Sequence, residues 1–90
     1  MTLYPRLLES GTNAAVGVAA SQLAAKTIHC LSITVLADAA NTDDILVGDE
    51  DAQPIVLAAG NAASFDVNSP GQIWVRSATG VQTANFLMEV

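Results

Sequence analysis

The sequence predicts an all-β fold: a small antiparallel β-sandwich or jelly-roll-like barrel of about six to eight strands with an extended N-terminal arm. Three observations predict it. Short runs rich in Val, Ile and Phe alternate apolar and polar residues. Turn chemistry breaks these runs at intervals of roughly 8–12 residues, the spacing of small sandwiches and barrels. With 51% apolar and 13% charged residues, the chain has neither the polarity nor the charge of a disordered segment.

In order, residues 1–10 (MTLYPRLLES) read as an arm. Pro5 lacks a backbone donor and holds Tyr4 away from helix. Leu3, Leu7 and Leu8 are too few to fold alone and need a surface to lie on. Residues 11–90 form a single domain, since a 90-residue chain has no room for a second. Turns are expected at 11–13, 39–44, 48–54, 60–61, 68–71 and 79–80. Strands are expected near 14–20, 28–37, 44–48, 55–58, 62–67, 72–77 and 83–90. The segment Ala14–Lys26 has two readings. Its alanines favour helix, whereas Val16, Gly17 and Val18 favour strand; strand over 14–20 is preferred, with a helical turn at 21–26 as the alternative. Asn68-Ser69-Pro70-Gly71 has the residue order of a type II turn, which would give Gly71 a positive φ. Gly48 and Gly60 are placed to end strands where the chain reverses.

Sixteen of the apolar residues are alanine, and the aromatic residues are only Tyr4, Phe65, Trp74 and Phe86. Alanine buries little area, so the core is thin and the domain should gain stability from neighbouring chains. The net charge is −6, with Arg6, Lys26 and Arg76 the only basic residues. Such a chain is a poor partner for nucleic acid or an anionic membrane surface. Cys30 is the lone cysteine, which excludes an intrachain disulfide and a multi-cysteine zinc site. Neither a transmembrane helix nor a signal peptide is evident, so synthesis in the cytoplasm without export by that route is expected.

Few residues offer chemistry. Asp43, Asp44, Asp49, Glu50 and Asp51 suggest an acidic loop, with Asp49 and Asp51 as calcium candidates; the plainer reading is a solvated turn that aids solubility. His29 and Cys30 would point to opposite faces of a strand, so they form no nucleophile–base dyad. His29 is expected half-buried on the face of Leu31 and Ile33, and Cys30 as a small apolar filler. Trp74 and Arg76 share the face opposite Ile73 and Val75. Trp74 is therefore an interface residue, a residue covered by its own chain, or a platform for a sugar ring. The sequence holds neither a phosphate-cradling glycine loop nor a nucleophile elbow, so no enzyme and no cofactor are expected.

The stretch from Ile28 to Val90 resembles small virion-associated β-sandwich proteins of tailed bacteriophages. The pieces carrying the resemblance are Asn41-Thr42, Ile45–Asp49 (ILVGD), Leu57–Gly60, Phe65–Val67 and Gln72–Val75, spread over about two thirds of the chain. Ala59 departs from the pattern, which often has proline there. The resemblance implies a structural, non-enzymatic virion protein assembled in the host cytoplasm. It implies a capsid decoration or cement protein on the major capsid protein lattice, or a tail, neck or baseplate component. It also implies a homo-oligomer, a trimer being common on capsids. The arm residues Leu3, Tyr4, Leu7 and Leu8, with Trp74 and Arg76, are the interface candidates. A different class, a carbohydrate- or calcium-binding module using Trp74 and the acidic loop, is the alternative.

Overall fold

The computed structural model describes residues 8–24 and 29–89. Eight strands follow one another: β1 Leu8–Val16, β2 Ser21–Gln22, β3 Ser32–Ala37, β4 Ile45–Gly48, β5 Ile55–Leu57, β6 Ala62–Phe65, β7 Trp74–Ser77 and β8 Gln82–Glu89. They form two four-stranded antiparallel sheets. Sheet A has the order β1-β8-β3-β6 and sheet B the order β2-β7-β4-β5. Apart from the β4–β5 connection, every link crosses from one sheet to the other. Eight strands wound this way through two sheets make a jelly roll. No described residue is α-helical, and no helix is long and apolar enough to cross a membrane.

Strict alternation builds the core. In β3, Ile33, Val35 and Ala37 are buried while Ser32, Thr34 and Leu36 turn outward. In β8, Ala84, Phe86 and Met88 are buried while Asn85, Leu87 and Glu89 turn outward. Ile45 and Val47 of β4, Leu57 of β5 and Val75 of β7 close the core from sheet B. A period of two in the sequence becomes one wet and one dry face on each sheet.

The first third of the chain differs from expectation. β1 runs over 8–16 rather than 14–20, so residues 8–10 belong to the sandwich and not to an arm. The expected turn at 11–13 is the middle of this strand. Gly11 lies opposite Phe86 in the register. A side chain on Gly11 would collide with the Phe86 ring, so the glycine makes room for an aromatic from the neighbouring strand. The strand escaped detection because Glu9, Ser10, Gly11, Thr12 and Asn13 carry almost no apolar alternation; pairing with β8 supplies what propensity does not. Past Val16 the chain loops through 17–20 and makes the two-residue strand β2, not a helical turn; residues 25–26 of that alternative lie outside the described residues.

β3 starts at Ser32, so His29 precedes it and is exposed rather than half-buried on a strand. The 68–71 segment is not a type II turn: positive φ occurs only at Gly60 and Gly80 among the described residues. Instead Pro70–Gln72 forms a 3-10 turn. The Gln72 side-chain oxygen accepts from the Asn68 and Ser69 amides at 2.7 and 3.2 Å and closes the loop from its far end. Gly60, with φ 84°, does reverse the chain between β5 and β6. Gly48 ends β4 for another reason, since a Cβ there would meet the carbonyl oxygen of Ala52.

Candidate functional site

One end of the jelly roll is tied by two side-chain amides, Gln82 buried and Asn41 half-buried. Gln82 is buried; its Nε2 donates to Thr42 Oγ1 and the Thr79 carbonyl, and its Oε1 accepts from the Thr42 amide. Asn41 pairs with the Thr83 backbone through both halves of its amide, at 2.9 and 2.8 Å. Asn41-Thr42, one of the pieces that carry the sequence resemblance, thus welds the β3–β4 connection to the start of β8. The side-chain chemistry is structural: the bonds tie backbone groups of the β3–β4 connection and of the start of β8 to one another.

The acidic residues do not converge. Asp43 and Asp44 precede β4, and Asp49, Glu50 and Asp51 follow it. The four-residue strand between the two groups, about 13 Å long, keeps them apart. Asp43 accepts from the Thr79 hydroxyl and the Asp44 amide, and these bonds, the hydroxyl first, hold its carboxyl below the usual range. Asp49 Oδ1 accepts from the Asp51 and Ala52 amides at 2.9 and 2.8 Å. Asp49 is thereby an Asx-type turn residue, while Asp51 is exposed beside it. Among the described residues no three His, Cys, Asp or Glu side chains gather as metal ligands.

Cys30 is buried, and its thiol donates to the Val67 carbonyl at 3.2 Å. Burial pushes the thiol pKa up, the opposite of an activated nucleophile. The small-filler reading of Cys30 therefore describes its surroundings.

What the fold exposes is two different faces. On sheet B, Trp74 and Arg76 point outward, half-buried, with Val75 buried between them. Trp74 stands opposite Gln22 on one side and Gly48 on the other, and Arg76 opposite Leu46. Val56, 57% exposed, continues that row on β5. The interface candidates Trp74 and Arg76 thus share one outward face, as their spacing predicts.

On the outer face of sheet A the register forms rows across the four strands. One runs Ser10, Leu87, Thr34, Ser64, and the next Thr12, Asn85, Leu36, Ala62. Leu8 lies beyond them opposite Glu89, 65% exposed. Of the arm candidates only Leu8 is described, and it is a strand residue of this face; Leu3, Tyr4 and Leu7 lie outside the described residues. A shallow groove of about 310 Å³ runs between Thr34, Leu36, Ala62, Asn85, Phe86 and Leu87. This face is not legible in the sequence, because its rows are assembled from β1, β8, β3 and β6, which are distant along the chain. The alternation of Leu36 and Leu87 with buried neighbours was the available signal.

No family model matches the chain, and no curated protein matches it. A solved structure of Bacillus endospore appendages, described as a novel family of disulfide-linked pili, is similar at 16% identity and a TM-score of 0.49. The match covers 98% of this chain and 89% of that one. At that distance no functional property passes from one to the other.

Proposed function

We propose that this chain is a non-enzymatic structural subunit of a phage virion, a capsid decoration or cement protein that docks on the major capsid protein lattice and stabilises it. The observation that carries the reading is that both outward faces present apolar side chains: Leu8, Leu36 and Leu87 on sheet A, Val56 beside half-buried Leu46 and Trp74 on sheet B. A monomer of this size gains nothing by displaying them to water, whereas an assembly subunit uses both sides. The strand-and-turn resemblance of residues 28–90 to small phage virion proteins supports the same class. In this reading residues 1–7 are the docking arm, together with Trp74 and Arg76 as lattice contacts, and the chain acts as a homo-oligomer. A tail, neck or baseplate position is the near alternative.

The test is made on purified particles of the phage that encodes the chain. Mass spectrometry should find it in many copies, and gold-labelled antibody should decorate the head. Label on the tail or baseplate would select the alternative, and absence from particles would overturn the proposal. Deleting residues 1–7, which leaves β1 intact, should abolish particle binding while the β circular dichroism persists. Unchanged binding would remove the arm's role.

A further inference from the structure

The structure assigns the outer face of sheet A to a second copy of this chain, packed face to face about a twofold axis. This deepens the proposed structural role by naming the self-association surface, and leaves the Trp74 face of sheet B for a different partner.

Three features of the face carry the inference. The first is its charge. The two central rows, Ser10-Leu87-Thr34-Ser64 and Thr12-Asn85-Leu36-Ala62, contain no ionisable side chain. Acidic residues stand only at the margins, Glu89 and Asp66 at one end and Asp38 at the other. In a chain of net charge −6, the neutral centre is where a like-charged copy meets least repulsion.

The second is the pairing of its polar groups. Thr12 Oγ1 donates to Asn85 Oδ1 at 2.9 Å, and Asn85 Nδ2 donates to Asp38 at 3.1 Å. The Thr34 and Ser64 hydroxyls bond each other at 2.8 Å. Covering an unpaired hydroxyl or amide costs about 1–3 kcal/mol, but here Thr12, Asn85, Thr34 and Ser64 already have side-chain partners, which leaves only Ser10 at the β1 edge of the two rows. The face loses little when water leaves it.

The third is shape. Leu36 and Leu87, 37% and 44% exposed, are themselves walls of the groove, so ridge and recess lie side by side on this face. A protrusion and a recess on one surface are what an isologous contact requires, because each copy then offers a knob to the other's hole. This makes the elementary unit a dimer, in place of the trimer that the phage resemblance implies.

Size sets the strength. Four strands about 4.8 Å apart and about six residues long give roughly 400 Å² of flat area per copy. That is about half the standard 800 Å² per partner. The contact is therefore weak alone and concentration-dependent, and becomes effective when a lattice holds copies side by side.

The experiment is analytical ultracentrifugation of the full chain from about 10 µM to 1 mM, the range expected for so small an interface, at low and at high salt. The expected result is a monomer–dimer equilibrium that tightens with salt as repulsion between like-charged copies is screened. Leu87→Lys should weaken it at least tenfold. Ser64→Lys, at an exposed position with no core contact to lose, should do the same, and circular dichroism reports whether each variant is folded. Val56→Lys on sheet B should leave it unchanged. A wild type monomeric throughout, a trimer, or folded Lys variants that dimerise like wild type would each overturn the inference. So would a Leu87→Lys variant that self-associates normally but no longer binds particles, since the face would then belong to the lattice. A chain found on virions yet monomeric at 1 mM sinks this inference and leaves the proposed function standing; a dimer absent from virions does the reverse.

Discussion

The outward faces of the two sheets have the same number of strands and different chemistry. Sheet A shows Leu8, Leu36 and Leu87 among hydroxyls and an amide that bond one another, with acids only at its rim. Sheet B shows Trp74 and Arg76 beside Leu46 and Val56, with the 49–51 acidic turn at the end of β4. The difference teaches that the inward half of each alternation makes the fold, while the outward half is free to diverge. Sheet A's face suits an apolar, neutral, self-complementary partner. Sheet B's face offers an aromatic anchor and a cation, the side chains that dominate contacts with an unlike partner.

That contrast can be broken from behind. Phe86 is buried under the sheet A face, with Gly11 against its ring. Phe86→Ala should cost about 3–5 kcal/mol through lost burial and an unfilled cavity. Thermal melts should show the largest drop of any change considered, and both faces should lose their partners together because the sandwich itself loosens. If Phe86→Ala melts within a few degrees of wild type, the aromatic is not the support of β1.

Next in size is the amide clamp. Gln82→Leu keeps the bulk and leaves the Thr42 amide without its side-chain acceptor, a loss of about 1–3 kcal/mol. For a domain of this length that lowers Tm by roughly 5–20 °C. The effect should also be global. A melt unchanged by Gln82→Leu would show that the loops hold without the clamp.

The faces themselves separate in a crossed experiment. Trp74→Ala should weaken particle binding by about 2 kcal/mol, near thirtyfold, if it is the central anchor of an unlike interface. The same variant should leave self-association intact, and Leu87→Lys should show the opposite pattern. Equal loss in both assays for both variants would erase the contrast between the faces.

Much of this architecture was legible in the sequence. Ile33 and Val35 flank Thr34, and Phe86 and Met88 sit between Asn85 and Glu89, so β3 and β8 could be read directly despite the outward Leu36 and Leu87. Ile73 and Val75 placed Trp74 and Arg76 outward. β1 was not legible, because an edge strand resting on a neighbour's phenyl ring needs no apolar side chain at Gly11 and Asn13. Asn13 instead serves the loop, its Nδ2 donating to the Leu23 carbonyl. The acidic residues were misleading for a related reason. Proximity in sequence put Asp44 and Asp49 together, and the intervening strand β4 keeps them apart. The sheet A face was invisible for the converse reason, since only the register brings Leu36 of β3 beside Asn85 of β8.

The smallest effect concerns the rim that both faces share. Asp38 and Asp43 have carboxyls held below their ordinary pKa, by the Ala40 amide first in one case and by the Thr79 hydroxyl first in the other. A carboxylate whose pKa is lower in the folded chain stabilises above its unfolded pKa of about 3.9, and that contribution disappears as pH falls through the folded value. Both groups are solvent-screened, so each contributes little. Thr79→Val removes the main cause at Asp43. Its Tm should lie slightly below wild type at pH 7, and the two curves should converge as pH falls through the folded value and Asp43 becomes protonated. A difference that persists undiminished as the solution is acidified would mean that Thr79 acts through packing and not through the carboxylate. Self-association through the neutral centre of sheet A should not follow that titration, whereas a contact made through the rim acids would.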